Sequence, residues 1–298
     1  MSEIMQILIS GIIQGVIYAL IAYGYNLTFS TSKTINFSLG NVIMLGGVVG
    51  FSLYVDRATG QLLGYPYLFP IVGVLVTGVI AGWMVHRFAV APALKMKSEY
   101  TWVLATLAMG IIFKNAVEQI WSTGDYRFPS PLGDDPIRIL GAGVYPQEIM
   151  AVIVATVIVF SIELFRRKTI YGKAIQAVSE DKDTASLMGI PQEQVVKVSF
   201  MMSACIATIG GLMVAPWTFV SATMGSSLGT KAYVVAIIAG LESGFGLIWG
   251  GLILGISEFF TARYISSGYK ELPGFIILIL VILIKPSGLF GKKSIKKV

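Results

Sequence analysis

The charged side chains that interrupt the apolar runs of this chain are its first candidates for chemistry. Glu242 is the single charge between residues 232 and 257, and it lies in the glycine-rich stretch 240–246. Burial of a charge in hydrocarbon costs free energy, so a charged residue within such a run indicates a functional role. We predict that Glu242 is a gating residue or a partner for an amine. The alternative is an exposed residue at the tip of a turn.

Amide and hydroxyl groups gather between the first two apolar runs. Asn36, Ser38 and Asn41 follow shortly after Lys33, which is the only charge that separates these runs. An unwound stretch with free amides can hydrogen-bond a zwitterion in transit, so these residues are predicted to lie on a transport path. The alternative is that they cap the two neighbouring helices.

Other residue types argue against an enzyme. Cys205 and His86 are the only cysteine and histidine, which excludes an internal disulfide and a metal cluster built on these residues. Nucleophile–base pairs are absent as well. The nearest match to a Walker A motif ends in Lys293 where Ser or Thr belongs, so any ATP must be bound by partner subunits. The sequence therefore predicts no catalytic site and no cofactor in this chain.

Composition places these residues in a membrane. Of 298 residues, 55% are hydrophobic and 13% are charged, whereas a typical globular chain is about 25% charged. The net charge of +6 comes from Lys and Arg in short loops, which is typical of topogenic charge rather than of nucleic-acid binding. Small-xxx-small glycine pairs predict close helix packing: Gly11/Gly15, Gly46/Gly50, Gly78/Gly82, Gly240/Gly244, Gly246/Gly250 and Gly251/Gly255.

The apolar runs predict an all-α, polytopic transmembrane helix bundle of about eight to nine spans, formed by a single domain over residues 1–298. Basic residues cluster at 86–97, at 166–182 and after 285, and these segments belong in the cytoplasm. This puts the N-terminus outside and the C-terminus inside the cytoplasmic (inner) membrane. Eight crossings would leave both termini on one side, so we predict a broken or re-entrant helix near 240–246.

The polar cytoplasmic segment 166–197 is predicted to fold into short helices. Asp183 is expected to cap the second of these helices, Gly189 to end it, and Pro191 to open the next transmembrane helix. The apolar side chains of this segment either dock on a partner protein or lie on the lipid of the inner leaflet.

The stretch Tyr171–Asp181, followed by Ala185–Ile190, resembles the cytoplasmic coupling segment of ABC importer permeases. More specifically, the chain is similar to branched-chain amino acid permeases of the LivH type. Further similar stretches are Gly15–Ala22, Ile35–Gly47, Gly240–Gly251 and Pro286–Gly291. The chain departs from the family at Leu39, where many members have His, at Asn41, where many have an acid, and at Glu242, where glycines are usual.

The resemblance implies a permease subunit that moves branched-chain or related amino acids and is driven by separate ABC ATPase subunits. It also implies an extracytoplasmic substrate-binding protein, together with a second permease subunit (LivM-like) or a homodimer partner. The residues that it assigns to ATPase coupling are Tyr171, Gly172, Lys173, Ala177, Ala185, Leu187, Met188 and Gly189. The alternative is a self-sufficient secondary transporter or channel for small polar solutes, which would use Glu242 or the i,i+4 pair Lys114/Glu118 for ion coupling.

Overall fold

The computed structural model describes residues 2–57, 59–96, 100–121, 124–133, 135–139 and 141–291, and most of these residues are helical. A short antiparallel hairpin, in which Ile137 lies opposite Val144, connects two of the long helices. The elements are α1 (Ser2–Ser32), α2 (Leu39–Tyr54), α3 (Leu68–Met84), a π-helical turn (Val85–Val90), α4 (Ala91–Lys95), α5 (Thr101–Trp121), β1 (Ile137–Ile139), β2 (Ala142–Val144), α6 (Pro146–Lys168), α7 (Ile170–Glu180), α8 (Lys182–Leu187), α9 (Gln192–Val214), α10 (Met224–Ala239), α11 (Gly244–Tyr264), a 3₁₀ turn (Ser267–Tyr269) and α12 (Leu272–Ile284).

Seven helical segments of the described residues are long and apolar enough to cross a membrane. The helices α2 and α10 are apolar but have only 16 residues each, or about 24 Å at 1.5 Å per residue. Together these segments confirm the predicted helical membrane bundle, and their number agrees with the approximate count of eight to nine spans.

The predicted interruption near 240–246 is present between α10 and α11. Gly240 ends α10 with a φ of 98°, a left-handed conformation that favours glycine. The two helices then run antiparallel, because Gly250 packs on Ala239 while Lys231 pairs with Glu258 farther from the turn. The interruption is therefore a turn that joins two antiparallel helices.

The bundle has two ends that differ in what covers them. At the coupling end, α7 and α8 lie beside the end of α1, where the Lys182 ammonium donates to the Ser32 carbonyl at 2.6 Å. At the hairpin end, the Gln6 amide exchanges two hydrogen bonds of 3.0 and 2.8 Å with the backbone of Gly143. Successive long helices connect these ends, so each polar segment is held at a fixed end.

Glycine contacts bring the helix backbones together, as the small-xxx-small pairs predict. A Cβ atom placed on Gly15 would lie 2.6 Å from the carbonyl oxygen of Gly251, and Gly11 meets Ile256 one turn away. On the other side of the bundle, Gly78 and Gly82 of α3 lie against the α9 backbone. Small residues permit such close approach where the hydrophobic effect between helices is absent. The helix α9 thereby becomes the packed centre of the bundle.

Candidate functional site

Side-chain caps define both short helices at the coupling end. The Thr169 hydroxyl accepts the N–H of Gly172 at 2.9 Å and begins α7. The Asp181 carboxylate accepts the N–H groups of Asp183 and Thr184 at 3.0 Å each and begins α8. The expectation that Asp183 caps the second helix is wrong, because the cap must precede the first turn to reach its free N–H donors.

The end of α8 follows the predicted pattern closely. Gly189 adopts a φ of 81°, and its N–H donates to the Ser186 carbonyl at 2.9 Å. The next long helix begins at Gln192, with Pro191 directly before it. A left-handed glycine thus stops α8, and the proline starts a new helix direction.

The coupling segment has a small core of its own. Ile175, Val178 and Ala185 are buried together against Val195 of α9. Among the residues that the resemblance assigns to coupling, Gly172 and Ala185 are buried and Ala177 is half-buried. The remaining ones are exposed: Tyr171, Lys173, Leu187, Met188 and Gly189. The segment is therefore a folded platform with one buried and one free surface.

Lys182 attaches this platform to the bundle. Its half-buried ammonium donates to the Ser32 carbonyl at the end of α1. Burial, together with the nearby Lys33 ammonium, lowers the pKa of Lys182 below its usual range. The platform is therefore linked directly to the end of α1, just before the bend that leads to α2.

The structure brings Asn36, Ser38 and Asn41 together in that bend. The side-chain amide oxygen (Oδ1) of Asn36 accepts the Ser38 N–H at 3.1 Å and the Ser38 hydroxyl at 2.6 Å, and both residues are buried. Asn41 is half-buried on the first turn of α2. Leu39 packs against Gly24, which lies nine residues before Lys33, so the bend enters the depth of the bundle.

Glu242 lies apart from these amides, in the turn between α10 and α11. Its carboxylate pairs with the Lys33 ammonium at 2.5 Å, and the two side chains are 54% and 40% exposed. It also lines a cavity of about 500 Å³ between α1, α6 and α11, together with Tyr23, Glu163 and Arg166. The sequence-predicted transport residues thus fall into two places.

A third group of polar residues was not predicted from the sequence. The Glu258 carboxylate is 1% exposed, accepts the Tyr18 hydroxyl at 2.8 Å and pairs with the Lys231 ammonium at 3.3 Å. Lys231 also pairs with Glu271 at 3.2 Å, and the Ser227 hydroxyl donates to Glu271 at 3.1 Å. We call Tyr18, Lys231, Glu258 and Glu271 the ion cluster. It joins α1, α10, α11 and the start of α12.

The sequence contained a signal for the ion cluster. Lys231 and Glu258 border the run 232–257, in which Glu242 is the single charge, and the hydropathy pattern alone leaves both residues at the ends of that run. In the structure, Lys231 lies in the middle of α10 and Glu258 lies six residues before the end of α11. A count of helical turns from the glycine break at Gly240 would have placed both charges inside helices.

Comparison with known proteins identifies the family of this chain. Residues 7–285 match the model of the family described as the permease component of branched-chain amino acid transport systems. The chain belongs to this family. It is a permease component of a transport system rather than an enzyme, as predicted, and its apolar helices make it a multi-pass inner-membrane protein.

Curated relatives match the chain over nearly its whole length. The high-affinity branched-chain amino acid transport system permease protein LivH of Escherichia coli (strain K12) is 30% identical, over 99% of this chain and 97% of that protein. The corresponding protein BraD of Pseudomonas aeruginosa is 27% identical, over 99% and 98%. A probable LivH of Methanocaldococcus jannaschii is 27% identical, over 96% and 92%. Membership of this ABC permease family implies ATPase subunits and a substrate-binding protein as partners.

A solved structure shares the fold. The structure described as PsaBC from Streptococcus pneumoniae in complex with Fab aligns with a TM-score of 0.50 at 14% identity. The alignment covers 93% of this chain and 91% of that chain. The likeness concerns the arrangement of helices alone.

Proposed function

We propose that this chain is the membrane-spanning permease subunit of an ABC importer for branched-chain or closely related amino acids. An extracytoplasmic binding protein delivers the cargo, and separate ATPase subunits, which bind the ATP, drive its passage. The names of the relatives support the cargo class. The coupling platform carries the argument for separate ATPase subunits.

Large apolar side chains on the free surface of the platform support docking. Leu187 and Met188 are 88% and 79% exposed, although α8 is held in place by its own core and by the Asp181 cap. Apolar side chains grouped on a rigid surface mark an interaction site. The buried residues of the platform face the bundle, so Leu187 and Met188 point away from it. We assign this free surface to the ATPase subunit rather than to inner-leaflet lipid.

We place the coupling end in the cytoplasm and the hairpin end outside. A cluster of basic residues lies at the coupling end: Arg166, Arg167, Lys168, Lys173, Lys182 and Lys285. The positive-inside rule then sets the N-terminus outside and the C-terminus inside. Lys97 and the basic residues after Gly291 also belong to the predicted cytoplasmic segments, but they lie outside the described residues.

Thiol labelling tests this orientation. In a Cys205→Ala background, Leu132→Cys at the hairpin end should react with an impermeant maleimide on intact cells. Lys173→Cys on the platform should react only after permeabilisation. The reverse pattern would overturn the orientation but would leave the family unaffected.

The second permease subunit is either a LivM-like chain or a second copy of this chain.

The transport roles of Asn36, Ser38, Asn41 and Glu242 stay predictions. These predictions are supported by the types of the residues and by their position near the coupling end.

A double variant of the platform tests the proposed function. The double substitution Leu187→Asp and Met188→Asp should abolish ATP-driven uptake by the reconstituted complex and weaken co-purification of the ATPase. The stability of the permease should remain unchanged, because both side chains are exposed. Ser186→Asp, an exposed substitution on the same helix, is the matched control. Full uptake by the double variant, or uptake without any ATPase subunit, would contradict the proposal and favour a self-sufficient transporter.

Gly189→Pro tests whether the end of α8 is needed for coupling. Proline cannot adopt the φ of 81° found at Gly189, so the platform should lose its shape at this point. We expect ATP hydrolysis to continue while uptake falls. Wild-type uptake in this variant would show that the shape of the platform is not used.

A further inference from the structure

The helix α10 has one face that the bundle does not cover, and this face is polar. Thr223, Ser226 and Thr230 are exposed, and Tyr233 continues their line as a half-buried residue. Their spacing of three or four residues places them on one side of the helix. The ion cluster borders this face through Lys231 and Glu271, whose side chains are 14% and 57% exposed.

This face lies at the level of the packed interior of the bundle, not at one of its ends. Gly229 packs against Gly40 at the start of α2, and the Tyr25 hydroxyl donates to the Gly229 carbonyl at 3.2 Å. The outward faces of α3 and α12 are apolar, with Val72, Val76 and Val79 on α3, and Ile276, Ile279 and Leu283 on α12. Those faces suit lipid. Hydroxyl groups and a partly exposed ion pair suit water or a protein partner instead, because lipid satisfies no hydrogen bonds.

An aromatic row crosses the coupling-end side of the polar face. The Tyr233 and Phe37 rings are 5.8 Å apart, and the Phe37 and Trp102 rings are 6.2 Å apart and nearly parallel. These three half-buried rings come from α10, from the bend between α1 and α2, and from α5. Tyr233 lies six residues before the end of α10, or about 9 Å along its axis. The row therefore separates the hydroxyl groups from the coupling end.

The central ring of the row belongs to a segment without regular helix. Phe37 lies there between Asn36 and Ser38. Its N–H donates weakly to the Thr106 hydroxyl at 3.4 Å, whereas Asn36 and Ser38 are held by their own hydrogen bonds. The Phe37 ring can thus swing without unwinding a helix. Lys182 links the platform to Ser32, five residues earlier, so ATPase movement has a short route to this ring.

We propose that Tyr233, Phe37 and Trp102 close a transport path that follows the polar face of α10, and that a second permease subunit forms the opposite wall. The proposal rests on the function proposed above, which supplies a cargo and a second subunit. An apolar constriction excludes water and small polar solutes until its rings separate. The hydroxyl groups of α10 then line the part of the path between this closure and the hairpin end.

Leakage tests the closure. Proteoliposomes that contain the whole complex are loaded with radiolabelled leucine, and its efflux is followed without ATP. Tyr233→Ala and Phe37→Ala should each raise this efflux at least tenfold, whereas Tyr233→Phe should keep the wild-type rate. Tyr264→Ala, at a ring that stacks on Phe260 near the hairpin end, is the matched control and should not leak.

Thiol accessibility tests the path without altering the closure. In the Cys205→Ala background, Ser226→Cys and Thr230→Cys should react with an impermeant reagent added from the hairpin side. Val79→Cys and Ile279→Cys, on the apolar faces, should not react. Protection of positions 226 and 230 in a complex with normal uptake would overturn the path along α10.

The outcomes separate this proposal from the proposed function. If the wild-type complex lacks uptake that depends on ATP and on the binding protein, the function fails. If wild-type uptake is present but neither alanine variant leaks, the closure fails while the function stands.

Discussion

Two carboxylates at opposite ends of α11 differ in almost every property except residue type. Glu242, in the turn before α11, is exposed and pairs with an exposed lysine, Lys33. Glu258, near the other end of the helix, is buried and shares Lys231 with Glu271 while accepting the Tyr18 hydroxyl. Each carboxylate has a lysine partner, so the difference between them lies in solvent exposure.

This difference decides what each charge contributes. An exposed pair gains little, because water already stabilises both ions. Removal of one partner from a buried pair leaves a charge that neither water nor protein satisfies. The carboxylate that is conspicuous in the sequence therefore matters less for stability than the one that is not.

The largest effect is expected at the ion cluster. Lys231→Met should lower the free energy of unfolding by about 3–5 kcal/mol, because Glu258 stays buried without its counter-charge. The thermal unfolding midpoint of the purified complex is the measurement, and Lys33→Met is the matched control at the exposed pair. The double substitution Lys231→Met and Glu258→Met should regain most of the loss. Equal midpoints for Lys231→Met and Lys33→Met would remove the distinction between the two pairs.

Neighbouring glycines of α9 extend the comparison from charge to packing. A Cβ on Gly211 would overlap the carbonyl oxygen of Ile43, whereas a Cβ on Gly210 would meet the Ile21 side chain at 3.0 Å. A side chain can shift but a backbone carbonyl cannot. Gly211→Ala should therefore cost about 1–3 kcal/mol, and Gly210→Ala clearly less. The thermal unfolding midpoint is again the measurement. A larger loss for Gly210→Ala than for Gly211→Ala would contradict the packing at α9.

Asp181 is an exposed carboxylate that nevertheless contributes to stability. It accepts two N–H groups at the start of α8, and loss of such a cap costs about 1 kcal/mol. Asp181→Ala should therefore speed amide exchange in α8, whereas Asp183→Ala should have a smaller effect. If Asp183→Ala proved more disruptive, the assignment of the cap would have to be exchanged.

The smallest effect on stability is expected at the exposed pair. Glu242→Gln should change the free energy of unfolding by less than about 1 kcal/mol. The predicted contact with the cargo ammonium is tested separately, by uptake at matched incorporation. Loss of a charge-assisted hydrogen bond would lower uptake by about 10- to 100-fold. Wild-type uptake would leave Glu242 as an exposed turn residue.

Patterns that repeat along the chain were sufficient for the general architecture. The long apolar runs predicted the helices, the charge asymmetry predicted a broken or re-entrant helix, and the glycine-rich stretch located that interruption at 240–246. The coupling helices were also predicted, with Gly189 and Pro191 at the correct boundaries. These features are local, because helix ends and span lengths depend on neighbouring residues. The shift of the cap from Asp183 to Asp181 is an error of two residues in the same local geometry.

The sequence by itself determined a helical membrane bundle with short helices between 170 and 187, because hydropathy and helix-ending residues act over short distances, and the resemblance of its motifs indicated a permease. Only the tertiary structure decided which polar residues meet. Tyr18 and Glu258 are 240 residues apart and form a buried hydrogen bond, and Phe37 meets Tyr233 and Trp102 from three separate elements. Such contacts depend on how each helix is rotated and on how deeply the bend after α1 enters the bundle. Close glycine packing between distant helices sets both, and no local pattern contains that information.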